Sequence, residues 1–90
     1  MGEVAKAIRD KLEAAFRPDR LEVRDDSDKH AGHSGAGDRG ESHFTITIEC
    51  TAFAGVPRVQ RQRKIYGVLA EELAGPIHAL SVKALAPGEA

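Results

Sequence analysis

The stretch HFTITIEC, in the middle of the chain, constrains the fold more than any other segment. Apolar side chains at Phe44, Ile46, Ile48 and Cys50 alternate with polar ones, which is the pattern of a β-strand with one buried face. Such a face is buried only against other strands and helices, so the rest of the chain must supply them. With 41% hydrophobic content, residues 1–90 are expected to form a single domain around one small core.

Four further segments show the periodicity of regular secondary structure. Residues 3–16 carry apolar side chains at helical spacing, and LEVRD, residues 21–25, alternates as a short strand. Residues 58–74 are predicted to form the main helix, which the following Gly-Pro pair ends. IHALSVKAL, residues 77–85, is predicted to be the last strand, followed by a frayed tail, APGEA.

This order of elements, α-β-β-α-β, predicts an α+β fold. The first two strands can pair antiparallel, and the last strand can return parallel to the second through a right-handed crossover. The resulting structure is a three-stranded mixed sheet covered on one face by helices.

The main helix is predicted to bury one side and expose a basic side. At about 100° per residue, the buried side is Val59, Tyr66, Leu69, Ala70 and Leu73. The opposite side carries Arg58, Arg61 and Lys64. Three such charges in a domain of net charge -1 are more often a solvated helix face than a DNA contact, so any DNA binding should be weak and sensitive to salt.

A polar, glycine-rich stretch that begins with DDSDKHAGHSG and extends to Gly40 is predicted to be a long loop. It contains His30 and His33, whose spacing alone favours an ordinary polar loop and does not define a metal geometry. The single cysteine, Cys50, permits neither an intramolecular disulfide nor a cysteine-based zinc site, and its alternation predicts a buried side chain. Metal chemistry would therefore need histidines, carboxylates or ligands from another molecule.

Composition and motifs also limit the class of protein. No apolar run reaches the length of about 20 residues that spans a bilayer, and the N-terminus lacks the apolar core of a secretory signal. We therefore expect a soluble, cytoplasmic protein with no membrane partner. Asp25, Asp26 and Ser27 lie near His30, but a glycine-rich loop does not fix the mutual geometry that catalysis requires, so we expect no enzyme.

Four segments, LEVRDDSDKHAGH, ESHFTITIECTAFAG, VQRQRKIYGVLAEEL and IHALSVKALAP, together resemble the BolA family in order and spacing. The resemblance implies a fold like the second class of KH domain. It also implies pairing with a monothiol glutaredoxin around a shared two-iron, two-sulfur cluster. For some bacterial members it implies DNA binding and transcriptional regulation of the stress or morphology type. Alone, the chain is expected to be a monomer or a weak homodimer.

The resemblance also assigns residues to these activities. The cluster ligands correspond to His78 and to His30, with His33 as an additional candidate. Other ligands would come from the partner's thiolate, with glutathione from the partner side as a further candidate. His43 is interpreted as structural. The segment linked to nucleic acid corresponds to Arg58, Arg61, Arg63 and Lys64. It departs from the family at Gln62, where a histidine is common, and the glycine-rich loop of nucleic-acid-binding KH domains is not evident.

Overall fold

The structure is a computed structural model that describes residues 2–26 and 43–89. The helices are α1 (Glu3–Phe16), α2 (Arg58–Val68) and α3 (Ala70–Ala74); the strands are β1 (Arg20–Asp25), β2 (His43–Glu49) and β3 (Ala79–Leu85); and a 3-10 helix spans Thr51–Phe53. The predicted order is confirmed, with the 3-10 helix as an addition and the predicted main helix divided into α2 and α3. Among the helices of these two stretches, none is long and apolar enough to cross a membrane.

The three strands form one mixed sheet with β2 in its centre. β1 pairs antiparallel to β2, and β3 pairs parallel to it, which gives the order β1-β2-β3. Val23, Ile46 and Val82 lie in register across the three strands and therefore share one face. The predicted α+β topology is confirmed.

The helices cover the face of the sheet to which the apolar side chains of β2 point. Phe44, Ile46 and Ile48 are buried, while the threonines between them are only half-buried on the opposite face. From the helices and turns, the core receives Ala5, Ile8, Leu12, Phe53, Ile65, Leu69 and Ile77. Leu21, Val23, Leu80 and Val82 from the two edge strands pack against its margin, so residues 2–26 and 43–89 cover one face of the sheet.

The orientation of α2 differs from the prediction. Leu69 is buried as predicted, and Leu73 packs against the core. Val59, however, is 59% exposed and Tyr66 is 37% exposed, and the fully buried Ile65 was not in the predicted stripe, so the predicted buried side was wrong in the first part of the helix. The predicted single helix over 58–74 is also divided. Leu69, with φ -101° and ψ 21°, departs from helical geometry between α2 and α3.

Arg61 is internal rather than part of an exposed basic face, and that prediction was wrong. Its residue surface is only 4% exposed. Its Nε donates to the carbonyl oxygen of Val56 (2.7 Å), and its Nη1 donates to that of Ala84 (3.0 Å). Nη1 and Nη2 also hold the two carboxylate oxygens of Glu89 at 2.6 and 2.9 Å. The same carboxylate accepts a hydrogen bond from the backbone N–H of Ala86. The tail is therefore anchored through Glu89, and the prediction of a frayed tail was wrong.

A glycine in the turn before α2 offers a direct test of this backbone. Gly55 has φ +76°, and a Cβ added there would meet no atom within 4 Å. The cost of Gly55→Ala should therefore come from the left-handed backbone alone, and we expect a loss of about 1–2 kcal/mol in the free energy of unfolding by urea denaturation.

Gly67→Ala is the matched control. Gly67 lies in α2, its added Cβ also meets nothing within 4 Å, and its φ is not positive. Alanine should therefore stabilise this position by about 0.5–1 kcal/mol. Equal effects of the two substitutions would contradict the turn geometry.

Candidate functional site

Two histidines meet at one end of the sheet. β2 and β3 run parallel, so their first residues lie at the same end, where His43 pairs in register with Ala79. His78, immediately before β3, is exposed, and His43 is half-buried. Their ring centroids are 6.3 Å apart, and the planes meet at 72°, an edge-to-face contact. The sheet topology thus places two imidazoles side by side.

Asp26 fixes the chain beside this histidine pair. Because β1 is antiparallel to β2, its last residue reaches the same end of the sheet. The backbone N–H of Asp26 donates to the carbonyl oxygen of His43 at 2.7 Å. The Asp26 carboxylate accepts hydrogen bonds from Thr45 Oγ1 and from Arg24 Nε, the latter at 2.8 Å. The two ends of the segment 27–42 are therefore held together next to His78.

The predicted loop ligands fall in that segment. His30 and His33 lie outside the described residues, so their role stays a prediction. His78 lies at this end of the sheet, just before the strand rather than within its predicted start. His43, interpreted from sequence as structural, contacts His78. The predicted parallel pairing of β2 and β3 was the signal that could have indicated this contact, because it places the first residues of both strands at the same end of the sheet.

The described residues do not form a complete metal site by themselves. They contain no group of three or more histidine, cysteine, aspartate or glutamate side chains that could hold a metal ion. Cys50 is buried, and its Sγ donates to the carbonyl oxygen of Phe16 at 3.1 Å, which confirms the prediction of a buried thiol. The sheet end therefore offers imidazoles without a thiolate.

The predicted nucleic-acid residues do not form one patch. Arg58, Arg63 and Lys64 are exposed on α2, but Arg61 is inside the fold and engaged by Glu89. Of the four residues assigned by the resemblance, three are thus exposed. Since each phosphate contact contributes a slope of about 0.9 in log affinity against log salt, three contacts provide little binding at physiological salt.

The comparisons with known proteins are consistent with this fold. The family model described as BolA-like protein matches residues 12–89. The chain belongs to the BolA-like protein family. BolA-like protein 1 of Pongo abelii is 44% identical to it over 89 residues, which cover 99% of this chain and 62% of that protein. The chain thus spans less than two thirds of the length of this relative.

Two further matches of this BolA-like chain carry SufE in their names. SufE-like protein 1, chloroplastic/mitochondrial, of Arabidopsis thaliana is 45% identical over 93 residues, covering 99% of the chain and 25% of that protein. The solved structure of the BolA domain of SufE1 from Arabidopsis thaliana superposes with a TM-score of 0.87 and 42% identity. The match covers 100% of this chain and 99% of that domain.

Proposed function

We propose that this BolA-like protein pairs with a monothiol glutaredoxin and helps to bind or deliver a two-iron, two-sulfur cluster. The observation that carries the proposal is the position of His78. It is exposed at the end of the sheet where the segment containing His30 and His33 begins and ends. His78 and His30, with His33 as the alternative, are the proposed ligands.

The chemistry of the available side chains supports a shared site. Neutral imidazole nitrogen is a good ligand for iron, and histidine in place of thiolate raises the potential of a two-iron cluster. The single thiol of the sequence, Cys50, faces the core and a backbone carbonyl. The chain can therefore contribute imidazoles while the partner contributes thiolate, with glutathione as a candidate further ligand from the partner side. The role is binding, not catalysis.

The length of chain from Asp26 is compatible with either loop ligand. An extended chain spans at most about 3.6 Å per residue. Four residues from Asp26 to His30 therefore span at most about 14 Å, and seven residues to His33 at most about 25 Å. The reach of the chain from Asp26 therefore does not favour one of these histidines over the other, so both are tested.

A second line of support comes from a relative. A domain similar to nearly the whole chain forms part of a SufE-like protein, so this fold occurs within a larger protein of that name. That association favours an iron–sulfur role over gene regulation.

The test is cluster reconstitution with a monothiol glutaredoxin, followed by visible circular dichroism with and without this protein. We expect a new spectrum that is lost in His78→Ala and in one of His30→Ala and His33→Ala. His43→Ala should weaken the signal without removing it, because His43 orients the His78 ring through their edge contact.

Cys50→Ser is the control for sulfur ligation, because the buried Cys50 thiol should not affect the spectrum. Far-ultraviolet circular dichroism of each variant separates loss of a ligand from loss of fold. An unchanged glutaredoxin spectrum on adding the wild-type protein would contradict the proposal. Equal spectra for wild type and His78→Ala would contradict the ligand assignment.

DNA-dependent transcriptional regulation is the second candidate, favoured by the exposure of Arg58, Arg63 and Lys64 on one helix. With three contacts, log affinity should fall against log salt with a slope of at most about 3. Duplex binding measured by fluorescence anisotropy at several salt concentrations tests this candidate. Absence of binding at low salt would remove it.

A further inference from the structure

The outer edge of β3 presents backbone groups that point away from the sheet. The order β1-β2-β3 makes β3 an edge strand, and alternate residues of β3 face β2. The carbonyl oxygen of Leu85 accepts a hydrogen bond from the N–H of Cys50, so the odd-numbered residues face β2 and the even-numbered ones face outward. Arg61 Nη1 holds the outward carbonyl oxygen of Ala84 at 3.0 Å. The end of this edge is therefore closed by a side chain.

Closer to the start of β3, the same edge is open. Leu80 and Val82 each direct one N–H and one C=O outward, and these four groups form no hydrogen bond within residues 2–26 and 43–89. Ser81, which lies between them, is exposed. Since an edge with free N–H and C=O groups is a template for another strand, this stretch of β3 can accept one.

The opposite edge of the sheet, on β1, is protected by charge. Four of its six residues are charged, namely Arg20, Glu22, Arg24 and Asp25. By contrast, Lys83 is the single charged residue among the seven of β3. Charged side chains commonly prevent a sheet edge from pairing with another chain. Of the two edges, β3 is therefore the one suited to pairing.

An exposed apolar side of α2 lies beside this open edge. Val59 is 59% exposed and Tyr66 is 37% exposed. Gln62 lies between them at helical spacing, and its Nε2 donates to the Tyr66 hydroxyl at 3.4 Å. Gln62 also lines a cavity of about 130 Å³ together with Val82 and Ala84, which places this side of α2 next to β3. A chain that pairs with β3 would therefore lie close to exposed apolar surface.

We propose that two copies of this chain pair their β3 strands antiparallel, about a two-fold axis that passes through Ser81. In this register Leu80 lies opposite Val82 of the second copy, and each such pair exchanges both of its N–H···O bonds. The two sheets become continuous, and the α2 helices lie antiparallel on the same side of the joined sheet. Each α2 then covers Val59 and Tyr66 of the other. The inference is independent of the proposed cluster site, because it uses none of the histidines.

The sequence of β3 favours a second copy as the added strand, because it is self-complementary about Ser81. Leu80 and Val82 are both partly buried and apolar, and they meet across the axis on the face that the helices cover. On the other face the two Ser81 side chains meet, and Lys83 lies opposite the small Ala79 of the second copy. The pairing therefore sets no like charges directly opposite each other.

The closed end of the edge selects the register. Centring the pair on Val82 would place Leu80 opposite Ala84, whose carbonyl oxygen is already held by Arg61. Centring it on Leu80 would place Val82 opposite a residue that precedes the strand. Ser81 is thus the centre that pairs the open groups with one another, and a symmetric pair of this kind closes as a dimer.

The first test follows the oligomeric state by sedimentation velocity from about 10 μM to about 1 mM protein. Dimer should appear within this range, and the amides of Leu80 and Val82 should exchange with solvent more slowly as it forms. The amide of Val23, which faces outward on β1, is the matched control and should not change. A monomer at every concentration, or equal protection at Val23, would overturn the proposal.

Charges placed at Ser81 test the axis. Ser81→Lys and Ser81→Glu each set like charges directly opposite, so each should raise the dissociation constant of the dimer by about fivefold. An equimolar mixture of the two variants should recover at least the affinity of the wild type, because opposite charges then face each other. Ser81 is exposed, and unfolding midpoints confirm that both variants keep the fold. A mixture that dimerises no better than the separate variants would refute this register.

A disulfide measures the same axis independently. In the proposed dimer the two Ser81 positions form a pair without mutual hydrogen bonds, with Cα atoms about 4.5 Å apart, so mild oxidation should link Ser81→Cys across the axis. Lys83→Cys is the matched control, exposed on the same face but about 13 Å along the strands from its own copy. Cys50 is only 1% exposed and does not compete. Equal linking of both variants would indicate random collision and contradict the dimer.

The contribution of α2 is tested by Val59→Ser. If the second copy covers Val59, this change should raise the dissociation constant by about fivefold, because less apolar surface is then buried. Gln60→Ser is the control, since Gln60 is also exposed but lies about 100° further around the helix. Equal dissociation constants for the two variants would show that the helices do not meet as proposed.

Discussion

Arg61→Ala should lower the thermal unfolding midpoint by an amount on the order of 10 °C, measured by circular dichroism. The substitution leaves the Glu89 carboxylate and the carbonyl oxygens of Val56 and Ala84 without their shared donor. A partly buried anion and backbone acceptors that lose their partners carry the cost of their desolvation. The tail and the first turn of α2 would no longer be joined.

Two further variants separate this role from a surface charge effect. Arg61→Lys should not restore the midpoint, because an ammonium cannot reproduce the forked contact with both carboxylate oxygens of Glu89. In a double-mutant cycle, Glu89→Gln combined with Arg61→Ala should cost less than the sum of the two single changes. An unchanged midpoint in Arg61→Ala would contradict the buried role of Arg61 and support its predicted place on an exposed basic side of the helix.

The Arg61–Glu89 pair also predicts a pH dependence. Hydrogen bonds from the Arg61 guanidinium, and then from the Ala86 N–H, lower the pKa of Glu89 from 4.5 to about 2. Because the folded state binds this proton more weakly than the unfolded state, the stabilisation is complete above about pH 4.5 and is lost as the pH falls toward 2.

Urea midpoints measured through that pH range check this dependence. Lys11 also lowers the pKa of Glu71, so the comparison is between wild type and Glu89→Gln, which share that contribution. The difference between the two should shrink as the pH decreases. A difference that stays constant to low pH would contradict the ion pair.

Phe53→Ala is expected to remove about 3–5 kcal/mol from the free energy of unfolding. Phe53 is fully buried, its ring lies 5.2 Å from that of Phe16, and the Arg61 guanidinium carbon is 6.0 Å from its centroid. Alanine would leave a cavity where α1, the 3-10 helix and α2 meet. As small domains have total stabilities of about 5–15 kcal/mol, urea denaturation should show a variant with much of its stability lost.

Phe53→Leu is the control for volume, because leucine retains most of the buried apolar surface and should cost clearly less. If alanine and leucine cost the same, the aromatic contact and not the cavity would dominate. A loss below about 1 kcal/mol for alanine would contradict full burial of the ring.

The strands were predictable from sequence because their signal is local. Phe44, Ile46 and Ile48 alternate with polar residues, and a period of two permits a single choice of buried face. Once β2 had one apolar face, the helices had to cover it. A loop connects β1 to β2 and a helix lies between β2 and β3, which favours an antiparallel first pair and a parallel second pair. The α+β topology followed from these constraints.

The buried side of α2 was not predictable in this way, because an arginine occupies a core position. Counting apolar residues favoured a stripe that ran through Val59 and Tyr66 to Leu69, whereas the core uses Ile65 with Leu69, on the side of Arg61. The carboxylate that pairs with the buried Arg61 belongs to Glu89, 28 residues further along the chain, in a tail that was predicted to be frayed. Local periodicity contains no information about such a distant partner.

The candidate site was predictable only in part. The resemblance identified His78, but the contact between His43 and His78 depends on the register of two strands separated by a helix, which the alternation of each strand leaves open. For His30 and His33 the assignment still rests on the resemblance.

The reactivity of the buried Cys50 thiol can report how often the native state opens. Cys50 is the single sulfhydryl of the chain, is 1% exposed and is hydrogen-bonded to a carbonyl of α1. A thiol-reactive dye reaches it only when the helix layer separates from the sheet, so the labelling rate reports how often the native state opens. Each core variant can thus be ranked under native conditions, without denaturant.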